Sequence, residues 1–358
     1  MAEFSPRARL YISLGLIGAI ILVSFSIIFY GVYQVYYAPA SLFSHDFDDA
    51  AGVEEHFDER LINVVVFGLH NRNDDNTFGD VYNVDTILVA TINFDQNTLS
   101  LLAVPRDSYV RISAGGVEDR IRQSYSYGYH LGLDPGPSGS AGTDDQDDTS
   151  GNSGGNGTES AVLADQTSER HEAGMRSAID TVSALLDGLT LHYYIAMDIE
   201  GLKQLIDSLG GVFYTVEEPM IGYTPQESLA AGPQLLDGQG YLTYLTYREP
   251  DSRDDLNRIK RQKALLLATF KYFQDRGLFH YVIPTYATYR EHIHTDLSFN
   301  QVTALTLFAG ERLEAGAIYD YSLQGEYFST DNGTTYYLAI DEKAKEDLLR
   351  KLSGGRDY

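Results

Sequence analysis

A long uncharged segment near the amino terminus places the strongest limit on how this 358-residue chain can fold. From Leu10 to Tyr37 no residue is charged, and the run exceeds the ~20 residues that a membrane-spanning helix needs. Two arginines precede the run and several acidic residues follow it. By the positive-inside rule, this asymmetry predicts a short cytoplasmic amino terminus, residues 1–9, and an extracytoplasmic remainder. The sequence therefore predicts a single-pass protein of the cell membrane with its transmembrane anchor at residues 10–37.

A cleaved signal peptide is the alternative interpretation of the same segment. Ala38 and Ala40 are small residues of the kind that a signal peptidase accepts. The apolar run is long for a signal peptide, however, and Pro39 lies inside the cleavage site. These two features favour a retained anchor, followed by a juxtamembrane connector over residues 38–60.

The charge balance excludes one large class of partners. Acidic residues outnumber basic ones 51 to 26, which gives a net charge of −25. Such a surface repels nucleic-acid phosphates, so we expect no direct nucleic-acid binding. The chain has no cysteine, which rules out disulfides, thiol chemistry and cysteine-ligated metals.

Beyond the connector, apolar strand-like runs alternate with amphipathic helical segments. The runs at 62–68, 84–92 and 99–105 are rich in β-branched residues and predict buried strands, the last two joined as a hairpin. Alternating strands and helices predict an α/β fold, a single three-layered α/β/α domain with a central mixed β-sheet. We place this domain at residues 61–353, with a disordered Gly/Ser/Asp-rich insert at 134–167 and a C-terminal tail at 354–358.

Arginines stand near the ends of several predicted elements. Arg106 and Asp107 follow a predicted strand directly, where ligands of open α/β sheets bind. Arg258, Arg261 and Gln262 share one face in the first two turns of a predicted helix. Arg120, Arg122 and Arg248 lie near other predicted element ends. One guanidinium group can bind two phosphoryl oxygens at once, so these arginines could together form a phosphate-binding site, or phosphate cradle. The alternative is that they form separate ion pairs scattered over the fold.

Six sequence blocks occur together in an order and spacing that resemble the LytR–CpsA–Psr family. The blocks are "NVVVFG", "VDTILVATINFDQNTLSLLAVPRDSYV", "RIRQSYSYG", "DIEGLKQLIDSLGGV", "LLDGQGYLTYLTYRE" and "DLNRIKRQKALL". The resemblance covers about residues 60 to 275. It implies a membrane-anchored extracytoplasmic phosphotransferase of cell-wall biogenesis. The implied substrate is a polyprenyl-pyrophosphate-linked glycopolymer, and the implied acceptor is peptidoglycan or another envelope component.

The resemblance also implies roles for individual residues. Asp85 matches the family's metal-binding aspartate, which predicts Mg²⁺ or Mn²⁺ as cofactor. Arg106 matches its pyrophosphate-binding arginine, with Asp107 holding or assisting it, and Asp107 or Asp255 is the candidate base. The implied substrate-binding residues are Arg72, Arg120, Arg122, Arg248, Arg258, Arg261 and Gln262.

Four positions depart from the family pattern. His70 replaces a second metal-binding aspartate, Asn83 and Thr246 replace arginines, and Arg122 replaces an asparagine. Losing a carboxylate matters because Mg²⁺ prefers oxygen ligands, although a loop acid at position 74, 75 or 80 could substitute. Two alternatives therefore stay open beside the transferase: a lipid-pyrophosphate-binding or regulatory module with weak or no transfer, and a lipid-pyrophosphate hydrolase.

Overall fold

The structure is a computed structural model that describes residues 34–35, 38–43, 61–71, 82–131, 158–222, 224, 228–247, 255–277, 281, 292–330 and 335–352. Residues 71, 158–167, 255–257, 259 and 315 are described by their backbone alone. The predicted anchor at 10–37 lies outside the described residues except for positions 34–35. Within the described ranges, no helix is long and apolar enough to cross a membrane.

A six-stranded mixed sheet forms the centre of the domain, as predicted. Its strand order is β10-β3-β2-β1-β6-β9, with parallel pairing of β1 with β6 and of β10 with β3, and antiparallel pairing elsewhere. The strands are β1 (Leu61–Asn71), β2 (Tyr82–Asn93), β3 (Thr98–Ala103), β6 (Tyr193–Asp198), β9 (Ile293–Thr295) and β10 (Ile318–Ser322). Three two-stranded hairpins accompany it: β4 (Tyr109–Arg111) with β5 (Glu118–Arg120), β7 (Val212–Val216) with β8 (Gly232–Leu236), and β11 (Gly325–Ser329) with β12 (Tyr336–Ile340).

Helices cover both faces of the central sheet. They are α1 (Ser124–Leu131), α2 (Thr158–Leu185), α3 (Ile199–Ser208), α4 (Gly238–Thr246), α5 (Asp255–Asp275), α6 (Phe299–Leu307) and α7 (Glu342–Leu352). Side chains alternate along β1, so Val65 and Phe67 pack with α1, α2 and α7, whereas Ile62 and Val64 pack on the opposite face with α6. A third apolar cluster joins α3, α4 and α5 to the β7–β8 hairpin. The α/β fold with a central mixed sheet is confirmed.

Local capping explains where several elements begin. Asn93 accepts from the backbone amides of Asp95 and Gln96, which closes the predicted hairpin turn between β2 and β3. Asp198 caps α3 by accepting a hydrogen bond from the amide of Gly201 at 2.6 Å. These turns fix the lengths of the strands, and therefore the positions at which they end.

Two segments extend the predicted boundaries. Pro39–Leu42 forms a 3₁₀ turn, and Phe43 is fully buried against Phe94 at a ring-centroid distance of 5.4 Å. This part of the predicted connector therefore packs on the folded domain. Residues 158–167 of the predicted disordered insert form the first turns of α2, and residues 134–157 of the insert lie outside the described residues.

Candidate functional site

A β-bulge sets the position of Asp85. Across β1 and β2, Gly68 pairs with Thr86 and Leu69 pairs with Val84, which leaves Asp85 as the extra residue of β2. A bulge bends the strand and redirects the inserted side chain. The close approach requires glycine at position 68, because a Cβ there would lie 2.9 Å from the Thr86 Cβ. The bulge therefore directs a carboxylate out of the regular alternation of the strand.

The Pro105–Ser108 segment is a hydrogen-bonded corner. The backbone amide and the hydroxyl of Ser108 both donate to the Pro105 carbonyl oxygen, at 3.1 and 2.6 Å. The amide of Arg122 donates to the carbonyl oxygen of Arg106 at 3.1 Å. Because the two arginines are joined through the backbone, their side chains leave the same corner of the fold.

Two of these guanidiniums converge on Asp85. Arg106 Nη1 lies 3.2 Å from Asp85 Oδ1, and Arg122 Nη1 lies 3.9 Å from the same oxygen. Arg106 Nε also faces Asp107 Oδ2 at 3.8 Å. Both arginines are only 5% exposed, whereas the Asp85 side chain is 27% exposed. The site is thus a buried pair of positive charges with a carboxylate at its opening.

Two further groups act on the same carboxylate. Burial raises the pKa of Asp85, but the positive charges of Arg106, Arg122, His70 and Arg258 together hold that pKa below its ordinary value. Arg258 is 7% exposed, so it contributes a third buried guanidinium, from α5. The structure therefore brings Asp85, Arg106, Asp107, Arg122 and Arg258 together, as the phosphate-cradle interpretation predicts.

The other two polar residues on this face of α5 hold the end of α4. Arg261 donates to the carbonyl oxygen of Tyr247 at 2.6 Å, and its guanidinium lies 5.6 Å from the Tyr247 ring centroid. The Gln262 amide donates to the carbonyl oxygen of Leu245 at 2.8 Å. These bonds fix α5 against α4, so in this structure Arg261 and Gln262 position the helix that presents Arg258.

Arg120 lies against the β11–β12 hairpin. Its guanidinium carbon lies 6.0 Å from the Tyr337 ring centroid. Its Nε is buried and has no acceptor among the residues that the structure describes. Arg120 therefore borders the site from the side of the small hairpins.

The remaining site predictions lie partly outside the described residues. The described residues do not include Arg72, Arg248 or the loop acids at 74, 75 and 80. The backbone of Asp255 starts α5, but its side chain is not described. His70 and Asn83 face each other across β1 and β2, and Asn83 is buried.

The described residues of the candidate site supply one of the ligands that a metal ion would need. Asp85 Oδ1 is buried and accepts no hydrogen bond from the described residues, and its neighbour Arg106 Nη1 lies 3.2 Å away as an ion-pair partner. Within the same ranges, no group of three or more His, Asp or Glu side chains is arranged to hold a metal ion. Mg²⁺ commonly binds one or two carboxylates and completes its shell with water and substrate phosphate. Asp85 fits that limited role.

Sequence reasoning placed the corner at Arg106 and Asp107 but missed the bulge. Gly68 bears no chemical group that draws attention to the site, and bulge register depends on the pairing of two strands. The only available signal was the interruption of apolar alternation by Asp85 within "VDTILVATI".

A mixed α/β domain with three buried guanidiniums gathered at strand ends defines an anion-binding α/β protein. A model described as the LytR_cpsA_psr family matches residues 39–353. The chain belongs to this family.

Named relatives match along most of the chain. The chain is 26% identical over 339 residues to the polyisoprenyl-teichoic acid–peptidoglycan teichoic acid transferase TagU of Oceanobacillus iheyensis, covering 91% of this chain and 89% of the relative. It is 22% identical to the protein of the same name from Bacillus subtilis, covering 81% of this chain and 76% of the relative.

Solved structures show the same fold. Bacillus subtilis TagV superimposes with a TM-score of 0.61 at 18% identity, covering 84% of this chain and 98% of that one. A structure of TagT bound to LI-WTA gives a TM-score of 0.56 at 18% identity, covering 85% of this chain and 95% of that one.

Proposed function

We propose that this protein is a membrane-anchored extracytoplasmic phosphotransferase. In this proposal it moves an anionic glycopolymer of the teichoic-acid class from a polyprenyl-pyrophosphate carrier to peptidoglycan or another cell-envelope acceptor. The observation that carries the proposal is the burial of Arg106, Arg122 and Arg258 around Asp85 at the end of the central sheet. The anchor at residues 10–37 keeps this site near its lipid substrate.

Pyrophosphate is the ligand that suits this corner. Removing guanidinium groups from water costs free energy. A polyanion that accepts hydrogen bonds from several of their N–H groups offsets that cost. Arg106 and Arg122 leave one backbone-linked corner and Arg258 approaches from α5, so phosphoryl oxygens are held from two sides. Fixed positive charge of this kind stabilises the charge that develops on the leaving polyprenyl phosphate.

The transfer exchanges a phosphoanhydride bond of the lipid donor for a phosphoester bond to the acceptor. An acceptor hydroxyl attacks the sugar-linked phosphorus, a new P–O bond forms, and the bond from that phosphorus to the bridging oxygen breaks. The hydroxyl proton passes to a carboxylate, with Asp107 or Asp255 in that role. Asp107 lies 3.8 Å from Arg106 Nε, which places a proton acceptor beside the phosphate-binding group.

A divalent cation, Mg²⁺ or Mn²⁺, is part of the proposal. Asp85 is the residue that would hold it, and its depressed pKa keeps the carboxylate ionised at neutral pH. When bound, the cation supplies further neutralisation of the pyrophosphate charge.

An apolar sheet face next to Asp85 suits the polyprenyl chain. Val66, Leu88, Leu101 and Ile195 share the face opposite α2 and are each only half-buried. The row leads toward the bulge at Gly68. A lipid lying on this face would cover apolar surface while its pyrophosphate reaches the arginines.

The second candidate is a module that binds the lipid carrier without efficient transfer. The observation that favours it is His70, which adds positive charge beside Asp85 where the family pattern has a carboxylate. Such a protein would keep the phosphate cradle but hold its cation weakly.

One assay separates the candidates. Full-length protein in detergent is incubated with a polyprenyl-pyrophosphate disaccharide and Mg²⁺, with and without peptidoglycan oligomers. Product joined to the oligomer supports transfer. Release of free sugar phosphate regardless of acceptor indicates a hydrolase, and saturable lipid binding without either product indicates the binding module.

A further inference from the structure

Three aromatic rings from two hairpins meet beside the candidate site. Tyr109 of β4, Phe328 of β11 and Tyr337 of β12 form this group, which we call the aromatic platform. Ring centroids are 5.3 Å apart for Tyr109 and Phe328, 5.2 Å for Tyr109 and Tyr337, and 5.6 Å for Phe328 and Tyr337. All three rings are partly exposed. The platform is therefore an apolar surface within reach of solvent.

Polar groups surround the platform. The Tyr109 hydroxyl donates to the Glu118 carboxylate of β5 at 2.7 Å. The Arg120 guanidinium lies over the Tyr337 ring. Apolar ring faces bordered by a few hydrogen-bonding groups are typical of small-molecule sites.

The platform is joined directly to the Arg106–Asp107 corner. The Leu338 amide donates to the Asp107 carbonyl oxygen at 2.8 Å, and Ser108 forms a bridge with Leu338. Burial alternates along this segment: Ser108 is fully buried, whereas Asp107 and Tyr109 are not. Asp107 precedes Tyr109 by two residues and is bonded to the neighbour of Tyr337, so a ligand on the platform lies near Asp107.

We propose that the aromatic platform binds a pyranose ring of a neutral glycan and presents its hydroxyl to Asp107. The C–H face of a pyranose packs on aromatic rings, while carboxylates and a guanidinium bind its hydroxyl groups. The Glu118 carboxylate, which accepts from Tyr109 of the platform, repels a phosphate-rich polymer and so favours the acceptor glycan over the donor chain. This inference rests on the proposed transfer function for its role in the reaction, although glycan binding itself does not require turnover.

The test compares platform variants of the full-length protein in detergent. Phe328→Leu and Tyr337→Leu keep apolar volume but remove the flat face, and Tyr337→Phe keeps the ring. Tyr336→Leu is the matched control, because Tyr336 is the exposed neighbour on the other side of β12. The Michaelis constant for a peptidoglycan oligosaccharide is measured at saturating donor, the Kd of a polyprenyl-pyrophosphate disaccharide is measured separately, and circular dichroism checks folding.

We expect both platform leucine variants to raise the acceptor KM by about five- to tenfold, with kcat and donor Kd unchanged. Tyr336→Leu should stay within about twofold of the parent, and Tyr337→Phe should raise the acceptor KM less than Tyr337→Leu does. A raised donor Kd with unchanged acceptor KM would overturn the assignment in favour of the donor sugar. If the acceptor KM and the donor Kd are both unchanged in folded variants, the proposal is refuted and the platform serves only to pack the two hairpins together.

A failure of the proposed function gives a different pattern. If the parent protein transfers nothing, titration of the oligosaccharide alone still tests the platform. Binding that weakens in the leucine variants supports the inference without transfer, and no binding to the parent protein refutes it.

Discussion

Arg106 and Asp85 form a 3.2 Å ion pair that joins the corner after β3 to the bulge in β2. The Arg106 guanidinium helps to keep the Asp85 carboxylate ionised, and the carboxylate orients the almost fully buried Arg106 side chain. An incoming pyrophosphate competes for the same guanidinium. Binding of the lipid head group would therefore leave Asp85 free for a cation.

Replacing either Arg106 or Arg258 by alanine should weaken lipid-pyrophosphate binding. Each variant loses a charge-assisted hydrogen bond of roughly 1.5–3 kcal/mol, which corresponds to about 10- to 150-fold in Kd. Titration with a short-chain polyprenyl-pyrophosphate disaccharide measures the loss. Arg176→Ala is the matched control, because Arg176 lies on α2 with a side chain 70% exposed in a helical pair with Glu172. Parent-like affinity in both site variants would refute the phosphate cradle.

Changing His70 to Asp should increase the dependence of lipid binding on Mg²⁺. The substitution removes a positive contribution beside Asp85 and adds a second carboxylate to a site that has one. We expect tighter Mg²⁺ binding, measured as the cation concentration that gives half-maximal lipid affinity. His70→Asn is the control that removes the imidazole without adding charge. If the Asp variant needs as much Mg²⁺ as the parent, a loop acid already supplies the missing ligand.

The Gly68→Ala variant tests the bulge. The added Cβ lies 2.9 Å from the Thr86 Cβ, so β1 or β2 must shift where Asp85 is placed. We expect a loss of about 1–3 kcal/mol in the free energy of unfolding and a parallel loss of Mg²⁺-dependent lipid binding. Gly316→Ala is the matched control, since nothing lies within 4 Å of a Cβ built there. Equal stability of the two variants would mean that the bulge accommodates a methyl group.

The first three strands of the central sheet were predictable because they depend on short-range signals. Apolar β-branched runs marked β1, β2 and β3. The β4–β5 hairpin was not found, because Glu118–Arg120 contains no apolar alternation and forms a strand by pairing with its neighbour. Tertiary contacts, and not local sequence signals, determine whether such segments form strands.

The site residues were likewise predictable where the signal was local and not where it depended on tertiary contacts. Arg106, Asp107 and Arg258 stood out at element ends, and the structure places them around Asp85. Gln262 looked equivalent to Arg258 by spacing, yet its amide binds the end of α4. Helical spacing identifies which residues share a face, but it does not identify what that face meets.

Stability should fall in mildly acidic solution because of His192. Burial lowers the pKa of His192 to about 4, and its Nδ1 accepts the backbone amide of Asn63 at 2.8 Å, an arrangement that requires the neutral ring. The unfolded chain takes up this proton near pH 6.5, whereas the folded chain does so only near pH 4. Within that window the unfolded state binds more protons, so the free energy of unfolding should decrease by up to about 1.4 kcal/mol per pH unit.

Urea unfolding between pH 4.5 and 7.5 measures this dependence, and His192→Gln isolates its source. Glutamine retains an acceptor for the Asn63 amide but does not titrate, so this variant should show a shallower loss of stability on acidification. The exposed His294 supplies the control: His294→Gln should keep the slope of the parent protein. If His192→Gln and the parent lose stability equally as the pH falls, the proton uptake that destabilises the fold occurs at other groups. In that case the hydrogen bond between β1 and the segment before β6 does not depend on a neutral imidazole.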